Sequence, residues 1–162
     1  MTTASVNIHA TCVLLARAGQ PFGATADAGI LLLGPSGAGK SDLALRLIEK
    51  GAILVSDDRT DLCVKNEKLI ASPPAGIRGL IEARGLGIVA LPHAHKARVA
   101  LAVKLTARPP RLPEREDYKA PWDLPVGVPL LRLAPFEASA PAKIALAVAA
   151  FERKLFREGL QT

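Results

Sequence analysis

Eight consecutive residues, Gly34-Pro35-Ser36-Gly37-Ala38-Gly39-Lys40-Ser41, fit the pattern G-x-x-x-x-G-K-[ST]. An apolar run, Ile30-Leu31-Leu32-Leu33, precedes them, and a helix-like stretch begins at Asp42. That setting gives the pattern its mechanical meaning. A strand ends, glycines let the backbone curl until successive N–H groups converge on phosphate oxygens, and a helix then points its partial positive charge at the same anion. Lys40 is placed to reach the β- and γ-phosphates, and the Ser41 hydroxyl to ligate Mg²⁺. The rest of the chain has to supply a sheet for the strand, a second layer for the helix, and acids near the phosphates.

The helix is expected to end near Lys50. Leu43, Ala44, Leu47 and Ile48 recur at helical spacing, and Gly51 follows a basic last turn as a C′ glycine. Residues 52–56 form a short apolar run that returns as a strand and is followed at once by Asp57 and Asp58. In a strand–helix–strand crossover the two strands run parallel, so both C-terminal ends emerge on one edge of the sheet. The first ends in the phosphate loop and the second in the aspartates, which puts the acid pair beside the phosphates. Facing alternate sides of the strand end, the two carboxylates can divide a base role from a metal role.

Around this centre the expectations are plainer. Residues 6–17 are β-branched and apolar, broken near His9 and Ala10, and read as one bent strand or two short ones. Residues 19–29 read as a loop, 62–71 as a hairpin turning at Asn66-Glu67, and 97–105 as a strand. In 81–89, Glu82 and Arg84 stand just before two glycines and a strand. His93 and His95 share a face if this stretch is a strand, but no third ligand follows at a zinc spacing. Residues 109–125, with five prolines and much of the local charge, form a long surface loop, 126–133 a last strand, and Pro141 opens a final helix running to about Glu158 and closed by Gly159.

Composition bounds the partners. The 162 residues suit one domain, 1–162, with no internal repeat, and an apolar fraction of 49% against 4% aromatic describes an Ala, Leu, Val and Ile core of the α/β kind. No apolar run reaches a membrane span and no signal pattern opens the chain, so a cytoplasmic protein without a membrane partner is expected. Cys12 and Cys63, each in an apolar run, read as reduced core thiols. The net charge of +6 is dispersed, with no nucleic-acid-binding signature, and suits a nucleotide polyphosphate better than nucleic acid.

With these pieces placed, the chain resembles the catalytic domain of bacterial HPr kinase/phosphorylase. The resemblance lies in the phosphate loop 34–41, the helix ending at Gly51, the strand ending in Asp57-Asp58, and the stretch Ile81-Glu82-Ala83-Arg84-Gly85-Leu86-Gly87-Ile88, which is like that family's L-E-I-R-G-L-G-I signature. It spans roughly residues 6–89, with a fainter echo in the last helix. It implies an α/β fold, a P-loop-containing mixed sheet with flanking helices of the HPr kinase/phosphoenolpyruvate carboxykinase kind. It implies ATP and Mg²⁺ as cofactors, Lys40 on phosphate, Ser41 and Glu82 on Mg²⁺, an acid/base from the Asp57–Asp58 pair with Asp58 favoured, and His9 as the counterpart of the family's catalytic histidine. The implied partner is HPr or an HPr-like phosphocarrier of the phosphotransferase system, and the implied assembly a hexamer.

Three departures qualify the resemblance. The family's separate N-terminal domain is expected to be absent, since His9 comes almost at once. The 19–29 loop is longer than the family's link between histidine and phosphate loop. Where the family carries P-V-R-P-G-R-N before its last helix, this chain reads Ala134-Pro135-Phe136-Glu137-Ala138-Ser139-Ala140, without a guanidinium. The expectation is a Mg·ATP-dependent serine kinase that reverses poorly, with a small-molecule kinase or a nucleotide sensor without transfer activity as alternatives.

Overall fold

The computed structural model describes residues 4–119 and 126–157. Strand β1 (Val6–Leu15) organises the sheet. Its second half pairs antiparallel with β2 (Ala28–Leu33) and, over Cys12 to Leu14, also antiparallel with β3 (Ile53–Ser56). Each therefore runs parallel to the other, as the crossover through α1 (Lys40–Glu49) requires. The first half of β1 pairs with β4 (Arg59–Lys65), which turns through Asn66 and Glu67, both at positive φ, into β5 (Lys68–Ser72). β1 is thus one strand, and its expected break at His9 and Ala10 is where its pairing passes from β4 to β2.

Strand β8 (Ala97–Leu105) receives β5 at Ala97 and Arg98, then lies parallel to β2 along 99–104, so β1, β4, β5, β8 and β2 pair in a closed ring. β10 (Gly127–Leu133) extends the sheet parallel to β8, and β9 (Asp117–Lys119) adds antiparallel to β10. Between β5 and β8, β6 (Leu80–Ala83) and β7 (Gly87–Ala90) form a separate antiparallel hairpin. The expectation of a mixed sheet with flanking helices holds.

Alternation along the strands separates two cores. Ile30 and Leu32 join Val13, Leu54 and Leu101 under the helices, against Leu43 and Leu47 of α1 and Ile144 of α2 (Ala140–Arg153). Leu31, on the other face of β2, joins Cys12, Val55, Leu62 and Leu69. Lys50 caps α1 and Gly51 follows at φ 107°, the αL position that ends a helix most cheaply with glycine.

Several expectations give way to the structure. The 109–125 stretch is not wholly loop, because β9 lies within it, while 120–125 fall outside the described residues. The last helix ends at Arg153, stopped by Lys154 in the αL conformation, and Glu158 and Gly159 lie outside the described residues. His93 and His95 are not on a strand: His93 makes an isolated bridge to Leu54, and the two rings meet edge to face at 5.5 Å. Cys12 is a buried core thiol, its pKa pushed up to about 12 by that burial, but Cys63 is only half-buried. No helix among the described residues is long and apolar enough to cross a membrane.

Candidate active site

β2 delivers the chain into the phosphate loop, whose turn closes through the Ala38 amide on the Pro35 carbonyl at 3.0 Å. Gly37 and Gly39 have φ of 84° and 102°, values a side chain resists, and at Gly39 a Cβ would also lie 2.9 Å from the Phe136 ring. Lys40 and Ser41 then fall in the first turn of α1. Lys40 is buried, and its ammonium donates to the Gly34 carbonyl at 2.7 Å and the Pro35 carbonyl at 3.0 Å. Burial lowers its pKa from the ordinary lysine value, and the negative charges of Asp58 and Asp57 work the other way.

The Asp57–Asp58 pair follows directly on the end of β3, as expected, but the chain resumes at once as β4. β1 pairs Cys12 with Ser56 and His9 with Arg59, so β3 and β4 run along one edge of β1 with the two aspartates as an interruption opposite Thr11 and Ala10. Asp58 takes a φ of 68°, and the Arg59 amide bonds back to the Asp57 carbonyl at 2.8 Å. The interruption sends the carboxylates different ways. Asp57 is buried and accepts from the Ser41 hydroxyl (2.7 Å) and the Thr11 hydroxyl (3.0 Å) on Oδ1, and from the Glu82 amide (3.1 Å) on Oδ2. Asp58 is exposed, and its Oδ1 lies 2.8 Å from His9 Nε2.

Thr11 ties the two together, since its hydroxyl donates to Asp57 while accepting the Asp58 amide at 3.1 Å. Sequence reasoning passed over Thr11. The available signal was its spacing of two from His9, which puts both on one face of a strand.

The β6–β7 hairpin closes the other side. The Glu82 amide docks on Asp57, so a segment 25 residues further on reaches the loop, and the Glu82 side chain, Arg84 and Leu86 line the same cleft of about 440 Å³ as Lys40, Ser41 and Asp58. Phe136 and Leu45 line it as well. The predicted set of Gly34 to Ser41, Asp57, Asp58, Glu82 and His9 is therefore brought together, His9 through its bond to Asp58. Two other groups are not. Arg115 stacks over Phe151 and Phe156 at 5.4 and 4.5 Å, and Arg132 forms a two-pronged pair with Glu116. Neither lines the cleft. Among the described residues, the guanidinium that does is Arg84. Among the described residues no group of three or more His, Cys, Asp and Glu side chains forms a ready metal cluster.

Similarity to known proteins covers the same ground. Residues 22–107 match the HPr Serine kinase C-terminal domain, more than half of the chain. HPr kinase/phosphorylase of Clostridium tetani is 45% identical over 76 residues, 47% of this chain and 25% of that protein. The corresponding protein of Caldicellulosiruptor bescii is 50% identical over 62 residues, 38% of this chain and 20% of its own. The chain thus spans no more than about a quarter of the curated relatives it matches. The solved Hpr(Ser) kinase/phosphatase of Coxiella burnetii superposes with a TM-score of 0.73 at 25% identity, over 93% of this chain and 98% of that one. A phosphate loop backed by an aspartate pair, on a sheet that superposes this fully, agrees with the matched segment: the chain belongs to the HPr serine kinase C-terminal domain family.

Proposed function

We propose that this chain transfers the γ-phosphoryl group of Mg·ATP to a serine hydroxyl of HPr or an HPr-like phosphocarrier. The observation that carries the reading is the convergence of Lys40, Ser41, Asp57, Asp58 and Glu82 on one cleft from three separate segments. The donors fit the cofactor: a serine hydroxyl and two carboxylates are hard oxygen ligands of the kind Mg²⁺ takes, and the loop amides suit a polyphosphate. Bound Mg·ATP supplies the transferable group and a cation to neutralise charge on it.

The chain's own groups do the rest. Asp57 orients the Ser41 hydroxyl, and Glu82 offers a second carboxylate to the metal. Lys40 brings positive charge to the β/γ end. Asp58 keeps Oδ2 clear of hydrogen bonds among the described residues and takes the proton of the acceptor serine, while His9 fixes its other oxygen. The family's hexameric assembly belongs to the same reading, and sedimentation of the purified chain checks it.

Incubation with labelled Mg·ATP, an HPr and a panel of small alcohols tests the proposal. Label is expected on a serine of HPr. Label on an alcohol instead would make this a small-molecule kinase, and bound ATP without transfer would make it a sensor. The reverse reaction should be slow. It sets inorganic phosphate against an anionic phosphoserine, a pairing that guanidinium groups usually hold, and here the 134–140 segment brings Glu137 in place of arginines. Seryl-phosphorylated HPr with Mg²⁺ and millimolar phosphate should lose little label. Release at a rate comparable to the forward reaction would refute that part.

A further inference from the structure

We propose that Phe136 seats the base of the nucleotide and that Arg46 is the residue that positions it. This rests on the nucleotide reading of the cleft. A phosphate loop takes a polyphosphate in one direction, with Lys40 and Ser41 at the β/γ end. Ser41 is bonded to Asp57, so the γ end lies at the carboxylates. The nucleoside must then leave on the other side, along α1. There the cleft changes character, from Asp58 and Glu82 to Leu45 and Phe136.

Phe136 is 69% exposed, yet its ring packs directly on the Gly39 backbone, where even a Cβ would come within 2.9 Å of it. A large ring left open at the mouth of an anion site, outside both cores, offers a face for stacking.

The ring is held by its backbone. The Arg46 guanidinium, two turns into α1, donates to the backbone at both flanks of Phe136: Nη2 to the Pro135 carbonyl, and Nη1 to the Glu137 carbonyl at 3.3 Å. Its Nε donates to Asp42 at 3.0 Å. The planar fork thus ties α1 to both peptide groups around Phe136, and a lysine has no such geometry. It also compensates Asp42, a carboxylate next to Ser41 that would otherwise repel phosphate. On the far side Lys143 pairs with Glu137 at 2.7 Å. Because every base has a π-face, such a seat binds nucleoside triphosphates as a class and separates adenine from guanine little.

The test is equilibrium binding of Mg·ATP and of Mg·tripolyphosphate, which has the phosphates without the nucleoside, to the full chain. Phe136→Ala should weaken ATP about tenfold and leave tripolyphosphate unchanged, and Phe136→Tyr should restore ATP. Arg46→Gln should weaken ATP alone as well, and the double variant should bind no worse than Phe136→Ala, since Arg46 acts through the ring. Wild-type ATP affinity in Phe136→Ala, an equal loss of tripolyphosphate, or full additivity in the double variant would each overturn the proposal. If ATP affinity is unchanged in Phe136→Ala while wild-type protein still labels HPr, the base seat fails and the kinase reading stands. A wild-type chain that binds neither ligand ends both.

Discussion

Asp57 and Asp58 are adjacent in the chain and opposite in environment. Asp57 lies in a buried seam between β1 and β3, where it accepts three hydrogen bonds from three different segments. Asp58 lies on an open rim with His9 and Glu82, and among the described residues its carboxylate has one partner. A carboxylate saturated with donors is held in one place; one with a free oxygen at the cleft is open to a further hydrogen-bond partner. In the proposed reaction the seam therefore positions and the rim reacts. The change from one to the other takes a single residue, because the interrupted pairing of β3 and β4 with β1 turns Asp58 out through a φ of 68°. Breaking the rim should cost rate and spare stability, and breaking the seam should cost both.

The largest effect belongs to Asp58→Asn. Asparagine tolerates the αL conformation at least as well as aspartate, so the fold should be kept, with stability within about 0.5 kcal/mol of wild type. Loss of the proton acceptor should lower kcat for HPr phosphorylation by ~10²–10⁴. Steady-state kinetics with a urea titration check both halves. A variant that keeps its rate would move the base to Asp57 and undo the division between seam and rim.

Lys40→Ala comes next, with an expected loss of about 10²–10³ in kcat from one preorganised charged donor. Its ammonium bonds to two carbonyls of its own loop and packs into neither core, so the melting temperature should move little. Retained turnover would remove the central claim about the phosphate loop.

What could be read from the sequence follows the same split. Local signals carried the loop, the C′ glycine, the bounds of β8 at 97 and 105, and the parallel run of β2 and β3, because each depends on residues a few positions apart. The run from β3 into β4 was not legible. Asp57-Asp58 were expected at the end of a strand and stand there, but the strand that resumes at Arg59 was expected only from Leu62, because the register against β1 is what continues it. β9 was hidden because prolines and charges around Asp117 argue for loop, while pairing with β10 overrides them. Lys154 ended α2 early through an αL conformation that lysine seldom signals. Glu82 and Arg46 needed tertiary contacts across 25 and 89 or more residues, which spacing does not encode.

Thr11→Val tests the seam itself. It takes the Thr11 acceptor from the part-buried Asp58 amide and removes one donor from the buried Asp57 carboxylate, at a cost of about 1 kcal/mol or more in a denaturant titration. The rate should fall less than for Asp58→Asn, because Ser41 and the Glu82 amide still hold Asp57. Unchanged stability would mean the hydroxyl is dispensable and the two aspartates are set independently.

The smallest effect lies outside both regions. Glu152, on α2, accepts from the Thr25 amide (2.7 Å) and hydroxyl (2.6 Å) and from the Ala26 amide (3.3 Å), pinning the helix to the β1–β2 connection. These bonds, the Thr25 hydroxyl first, hold its carboxyl below the ordinary glutamate value of 4.5. A carboxyl whose pKa is lower folded than unfolded adds stability above its unfolded value and loses it as pH falls through the folded one. Glu152→Gln should therefore lower the melting temperature slightly at neutral pH, and the gap to wild type should close below about pH 4. The site is untouched, so kcat should not change. A gap that persists into acid would mean that the anchor is shape and not charge, and a change in kcat would show that α2 transmits to the cleft through the segment carrying Phe136.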